Sequence, residues 1–175
     1  MASQTVKGHW RKLWRNKFFI PALVVSCLGG YLFLPTFLGL SPARILDIRE
    51  KTIRWVYHHN HSGIRDTLEV CYIGIGRSFD IRADDLRTED PAAELLSRLR
   101  DLEVPCRPLS EWPGKERNRE RIIVGAGDVS RISLGVVRSK GSYYVNGLNA
   151  GAYDVYFLWV PFRWVPVCWR MLWIS

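Results

Sequence analysis

Residues 143–175 read YYVNGLNAGAYDVYFLWVPFRWVPVCWRMLWIS, a run dominated by β-branched and aromatic side chains. Such side chains favour strands, and Gly147, Gly151 and the pair Pro161-Phe162 stand where turns are expected. Two shorter apolar runs, at residues 122–124 and 132–138, come before it along the chain. Together the pattern predicts five consecutive strands, at residues 122–124, 132–138, 143–148, 153–160 and 163–174. Consecutive strands with short turns indicate an antiparallel sheet.

Two predicted helices precede these strands. The first covers residues 45–59, where apolar side chains recur at helical spacing. The second begins at Pro91 with Asp90 as its N-cap. Its apolar stripe consists of Leu95, Leu96, Leu99 and Leu102. A strand at 67–75 lies between the two helices. This order favours an α+β domain, with an antiparallel sheet of four to five strands and two helices packed on one face.

Residues 18–40 contain no charged side chain over 23 positions. A helix of that length measures about 34 Å, which is enough to cross a hydrocarbon layer of ~30 Å. The sequence therefore predicts a single N-terminal transmembrane helix in front of the α+β domain, bounded by Phe18 and Leu40. Trp10 and Trp14 suit the membrane interface and complete the predicted membrane anchor.

The first 17 residues hold five cations and no acid. The positive-inside rule places such a tail in the cytoplasm. The predicted organisation is a basic cytoplasmic tail at 1–17, the transmembrane helix at 18–40, a connecting helix at 41–64 and an exported α+β domain at 65–175. In a bacterium this is a single-pass protein of the inner membrane with its C-terminal domain in the periplasm.

The composition is that of a globular protein, with 47% hydrophobic and 24% charged residues. Those proportions exclude wholesale disorder. The formal net charge is +8, but residues 41–175 contribute only 20 cations against 17 acids. Because most of the excess belongs to the tail, nucleic acid is not an expected partner.

Several stretches of residues 65–175 resemble a bacterial domain family with no established activity. They are CYIGIG at 71–76, DPAAELLSRLRDLEVPCRPLS at 90–110, ISLGVV at 132–137, YYVNGLNAGAYDVYFL at 143–158 and WRMLWIS at 169–175. The resemblance implies a compact α+β domain and supplies no catalytic residue. The chain departs from the family at the tip of its last hairpin, 159–164, which is aromatic where such domains turn on polar residues.

No catalytic or metal-binding constellation is visible in the sequence, so no enzyme activity, metal or cofactor is expected. His58, His59 and His61 lack the spacing of a recognised metal site, and a polar helix end explains them better. In an exported domain three cysteines could form a disulfide, with one left over: Cys71, Cys106 and Cys168. The sequence does not choose among the three pairings.

The aromatic C-terminus is the main candidate site. The predicted partner or membrane interface consists of Trp159, Phe162, Arg163, Trp164, Trp169 and Trp173. In strict alternation Trp164 and Trp169 lie on opposite faces of the last strand, and both faces are apolar. A partner protein, the membrane interface or the domain's own helices could cover the second face.

These features predict an accessory or assembly subunit, anchored in the membrane. It would dock on a larger integral membrane complex (respiratory, photosynthetic, secretory or envelope-building) and contact the lipid bilayer. The interaction would use the aromatic C-terminal hairpin. The alternative is a periplasmic domain that binds a small ligand, or acts as an enzyme, in a pocket lined by the sheet.

Overall fold

The computed structural model describes residues 29, 39–60, 62–63, 67–76, 88–113, 120–146, 149–160 and 163–174. The chain divides into two compact units, Met1–Gly39 and Leu40–Ser175. The second unit is the sheet domain. Its elements, in chain order, are α1 (Pro42–His59), β1 (Val70–Gly76), β2 (Thr88–Glu89), α2 (Ala93–Arg98), β3 (Cys106–Pro108), a 3-10 helix (Leu109–Glu111), β4 (Arg121–Ser133), β5 (Val136–Asn146), β6 (Asn149–Val160) and β7 (Arg163–Ile174).

The strands form one seven-stranded mixed sheet in the order β2-β1-β4-β5-β6-β7, with β3 also paired to β1. Strands β4 to β7 form an antiparallel meander. The turn expected at Gly151 is wrong, because Gly151 lies inside β6 and pairs with Tyr143 and Ile174. Strand β1 runs parallel to both β3 and β4. The parallel pairs require a long connection between β1 and β4, and α2 lies within it.

The predicted fold class, a transmembrane helix with an α+β domain on an antiparallel sheet of four to five strands, is wrong. The described residues form a mostly sheet domain with seven strands and two α-helices. Part of the difference arises at Gly135, whose φ of +71° turns the chain between β4 and β5 in the middle of the strand predicted at 132–138. The rest of the difference comes from β1. Its apolar run forms a strand that pairs in parallel with β3 and β4 and is covered on both faces, so the sheet is mixed and not antiparallel.

No helix among the described residues is long and apolar enough to span a membrane. The predicted span at 18–40 lies outside the described residues except for Gly29, Gly39 and Leu40, and so do Trp10 and Trp14. Leu40 packs against the main core of the sheet domain. The predicted location in the inner membrane stays a prediction.

Helix α1 is part of the core of the domain, although the sequence suggests a separate connector. It starts three residues earlier than predicted because Pro42 suits the first helical position and the Ser41 hydroxyl accepts a hydrogen bond from the Arg44 N–H at 3.4 Å. Its buried face includes Ile48 and Val56, which belong to the main core. Gly141 in β5 permits the close approach, since a Cβ there would lie 2.5 Å from Val56 Cγ2.

Helix α2 begins at Ala93, two residues later than predicted. Ala92 is its N-cap, so the prediction of an Asp90 cap is wrong. The Asp90 carboxylate instead accepts a hydrogen bond from the Ser110 N–H at 2.9 Å, and the hydrogen bonds with Ser110 lower its pKa. The predicted leucine stripe does pack inward: Leu95, Leu99 and Leu102 are buried, and Leu96 packs against the core.

Both faces of the sheet are covered near β1. The main core lies between the sheet and the two helices, and includes Ile73 and Val124. A smaller cluster on the opposite face is built on Tyr72 and Ile123, with Trp112 packed against it. The far end of the sheet, at β7, has no such double cover among the described residues, and this is where the candidate site lies.

Candidate interaction surface

Strand β7 forms one border of the sheet and pairs only with β6 among the described strands. Five of its large apolar side chains are between 39% and 56% exposed. We call these residues the β7 patch: Val167, Trp169, Met171, Leu172 and Ile174. A long apolar edge strand offers unpaired backbone groups and apolar side chains together, which is the combination that recruits another strand.

Two irregularities in the β6–β7 register determine which way the patch points. Shifts occur at Val167 and at Leu172, where β7 contributes an extra residue. Trp164 lies opposite Trp159, and Trp169 lies opposite Val155. Residues directly opposite each other share a face, so both tryptophans point to the α1 side of the sheet. The strict alternation expected from the sequence, which separates them, is wrong.

Trp169 is held on an aromatic cluster although 56% of its surface is exposed. Its ring lies 5.2 Å from the ring of Trp55 and 6.0 Å from that of His59. Trp55 in turn stacks on His59 at 4.4 Å and meets the edge of Tyr153 at 5.3 Å. The exposed ring is therefore held in place by packing within the domain.

The hairpin end of β7 is built differently. Trp164 is only 4% exposed and belongs to the main core. It meets Trp159 edge to face, with ring centroids 5.2 Å apart, and the Arg44 guanidinium lies 5.8 Å from the Trp159 centroid. Helix α1 thus packs against Trp159 and Trp164, two of the four tryptophans that the sequence suggests for an interface. The sequence leaves three alternatives for what covers an apolar face of this strand: a partner protein, the membrane interface or the domain's own helices. For Trp164 it is the domain's own helix α1.

The remaining predicted interface residues lie in different environments. Arg163 is exposed at the start of β7, and Phe162 lies outside the described residues. Trp173 is half-buried and lies opposite Ala152, on the face away from α1. Of the predicted set, Trp169 alone belongs to the β7 patch. The sequence-based prediction missed the other four patch residues, although their signal, an apolar strand at the end of a meander, was present.

A buried carboxylate lies beneath β7 on the face away from α1. Asp154 is 1% exposed, and its Oδ2 accepts a hydrogen bond from Arg170 Nη2 at 2.9 Å, with Arg138 Nη1 at 3.8 Å. Among the described residues, its Oδ1 has no hydrogen-bond partner. Arg170 therefore ties β7 to β6 by neutralising a carboxylate that has little contact with water.

Replacing Arg170 with alanine is expected to reduce the free energy of unfolding by about 1.5–3 kcal/mol, because a buried acceptor loses a charged donor. Arg163→Ala, on the same strand and exposed, is the matched control and should change it by less than about 0.5 kcal/mol. Urea titration of the full-length variants measures both. Equal stabilities of the two variants would contradict a structural role for the Asp154 ion pair.

The described residues contain no group of three or more side chains able to hold a metal ion. His59 packs on Trp55 and lies 2.8 Å from the Trp55 carbonyl oxygen through Nδ1, whereas His61 lies outside the described residues. Burial raises the pKa of Tyr153, and the neighbouring Tyr143 raises it further. Such a phenol stays protonated at neutral pH.

The comparisons with protein-family models, curated proteins and solved structures find no match for this chain. Its function is therefore inferred from the geometry of the β7 patch and its surroundings.

Proposed function

We propose that this chain is an accessory or assembly subunit, and that its sheet domain docks on a larger protein complex through the β7 patch. One observation carries the proposal: five large apolar side chains are exposed along a border strand of the sheet. Exposed apolar surface of this kind favours aggregation unless another molecule covers it. Docking explains why the chain retains it.

The partner is proposed to add a strand of its own to β7. Strand addition satisfies the unpaired backbone groups of the border, while apolar side chains on the new strand cover Trp169 and Met171. Trp169 is a suitable anchor, since tryptophan is enriched at interface hot spots and this ring is already positioned by Trp55 and His59.

Charge favours a different protein over a second copy of this chain. Residues 155–175 contain two arginines, Arg163 and Arg170, and no acid. Asp154 of β6 already pairs with Arg170, so a second copy paired through β7 would add another Arg163 and no carboxylate on β7 to pair with it. Like charges placed opposite each other destabilise strand pairs. The proposed occupant is therefore an apolar extended segment of another protein that carries at least one acidic side chain.

Site-specific photo-crosslinking in cells tests this proposal. A photoreactive phenylalanine analogue replaces Trp169 in one full-length variant and Met171 in another. Strand addition predicts that the two positions label the same segment of one partner, at sites about two residues apart. Labelling of a second copy of this chain, or of lipid alone, would overturn the proposal.

A matched pair of double variants supplies the control. Trp169→Ser with Met171→Ser should abolish the crosslinked complex, monitored from an analogue at position 174, while far-ultraviolet circular dichroism stays unchanged. Ile132→Ser with Leu134→Ser removes apolar side chains that are 52% and 48% exposed at the far end of the β4–β5 hairpin. That control should leave the complex intact. Equal loss in both would show that general hydrophobicity, and not β7, drives the association.

A further inference from the structure

Two cysteines lie side by side at the opposite border of the sheet from β7. Cys71 in β1 and Cys106 in β3 are directly registered partners in the parallel β1–β3 pair. The Cys71 N–H donates to the Pro105 carbonyl at 3.0 Å, which holds the two strands in this register. Both thiols are free, and Cys168, the third described cysteine, lies exposed on β7.

The geometry of neighbouring strands suits a disulfide at this pair. Adjacent strands lie ~4.8 Å apart, and cystine bridges span Cα distances of ~4.4–6.8 Å. Directly registered residues also point to the same face of the sheet. Cys71 shares its face with Ile122 and the main core, and Cys106 packs against that core.

From this placement we infer that Cys71 and Cys106 form a reversible dithiol–disulfide site, which reacts by exchange with a disulfide compound. The inference does not depend on the proposed docking function, because β7 is separated from β1 by three strands. It also selects one of the three pairings that the sequence leaves open.

The two thiols have different environments, which assigns them different steps. Cys71 is fully buried, and a hydrogen bond with Cys106 together with burial raises its pKa. Cys106 is half-buried; the hydrogen bond from Cys71 lowers its pKa, and the positive charge of Arg54 lowers it further. Cys106 is therefore the attacking thiolate, and Cys71 is the thiol that resolves the intermediate.

The exchange balances as two successive displacements. The Cys106 thiolate attacks one sulfur of the external disulfide, forms a mixed disulfide and releases one external thiolate. Cys71 then loses its proton, attacks the Cys106 sulfur and displaces the second external thiolate, which takes up the proton. Two protein thiols are oxidised to one disulfide, and one external disulfide is reduced to two thiols.

Closing this bond would join β3 to β1 and enclose the connection that contains α2. The backbone of that connection is already tied to α1, since Arg54 Nη2 donates to the Arg98 carbonyl and to Asp101 Oδ1 at 2.6 Å. The bond would add a covalent link between elements that are now held by packing and hydrogen bonds. In the chain-entropy description, a disulfide that closes the loop of residues 71–106 raises the Tm by about 10 °C.

The test equilibrates the full-length protein with oxidised and reduced glutathione, traps free thiols with an alkylating reagent and maps the products by peptide mass spectrometry. We expect a peptide pair linked through Cys71 and Cys106, and a Tm about 10 °C higher in the linked form. Cys168→Ser, which removes the exposed thiol, should leave both results unchanged. Cys106→Ala should abolish the link and the redox dependence of the Tm.

Three results would overturn the inference. These are a Cys106–glutathione adduct that never resolves to the internal bond, a bond that includes Cys168 or Cys27, the fourth cysteine of the sequence, and full alkylation of both thiols under oxidising glutathione. Because Cys71 is buried in the core, its replacement could unfold the domain for unrelated reasons. The half-buried Cys106 is therefore the position to vary, with circular dichroism confirming that the variant is folded.

Discussion

Replacing Trp164 with alanine is expected to reduce the free energy of unfolding by about 3–5 kcal/mol, the range found when a large buried aromatic side chain is truncated. Trp164 is 4% exposed, belongs to the main core and packs edge to face on Trp159. The loss combines the apolar area returned to water with the cavity left beneath α1. Urea titration of the full-length variant measures it, with the slope of the transition unchanged.

Two controls make the Trp164 result specific. Trp169→Ala truncates the same residue type on the same strand, but Trp169 is exposed and contributes mainly its ring contacts with Trp55 and His59. Its expected cost is about 1 kcal/mol. Trp164→Phe retains an aromatic ring and removes an indole N–H that is buried without a hydrogen-bond partner among the described residues, so it should cost much less than alanine. Similar losses for Trp164→Ala and Trp169→Ala would contradict the placement of Trp164 in the core.

The second large effect is expected at Leu99. This side chain is 0% exposed at the C-terminal cap of α2 and lies in the main core with Leu95. Truncation to alanine should reduce the free energy of unfolding by about 2–5 kcal/mol. Leu96→Ala is the matched control, because Leu96 lies in the same helix and is only partly buried. Equal and small losses at both positions would show that α2 does not pack on the sheet through its leucine stripe.

Some elements of the fold are accessible from the sequence because local chemistry determines them. Helix α1 has apolar residues at helical spacing, and runs of β-branched and aromatic residues indicate the strands of the antiparallel meander. The buried face of the leucine stripe in α2 follows from the same spacing argument. In each case the signal lies within a few residues of the element that it determines.

Other elements depend on contacts between distant residues. The parallel pairing of β1 with β4 joins Val70 to Arg121, and no local pattern indicates which strands meet across such a distance. The apolar run of β1 signals burial on both faces, but not the neighbour that provides it. The proximity of Cys71 and Cys106 follows from the β1–β3 pairing, and is inaccessible for the same reason.

In the candidate site, two extra residues in β7 change which of its side chains share a face of the sheet. Strict alternation along β7 would separate Trp164 from Trp169, and it fails because the register shifts at Val167 and Leu172. Bulges of this kind depend on how two strands fit together and are not visible in either strand alone. Composition does indicate that β7 has two apolar faces, but the packing of α1 determines that Trp164 is covered and Trp169 is not.

The two borders of the sheet differ in length, and this difference limits the stoichiometry of any assembly. In the described part of the chain, β7 provides a border of 12 residues, whereas the opposite border consists of β2 with two residues and β3 with three. Chain growth by repeated strand addition requires a long acceptor border at both ends of each subunit. Among the described strands, this sheet has such a border at one end, so under the proposed docking each chain would accept a single added strand and the complex would be finite, not a filament.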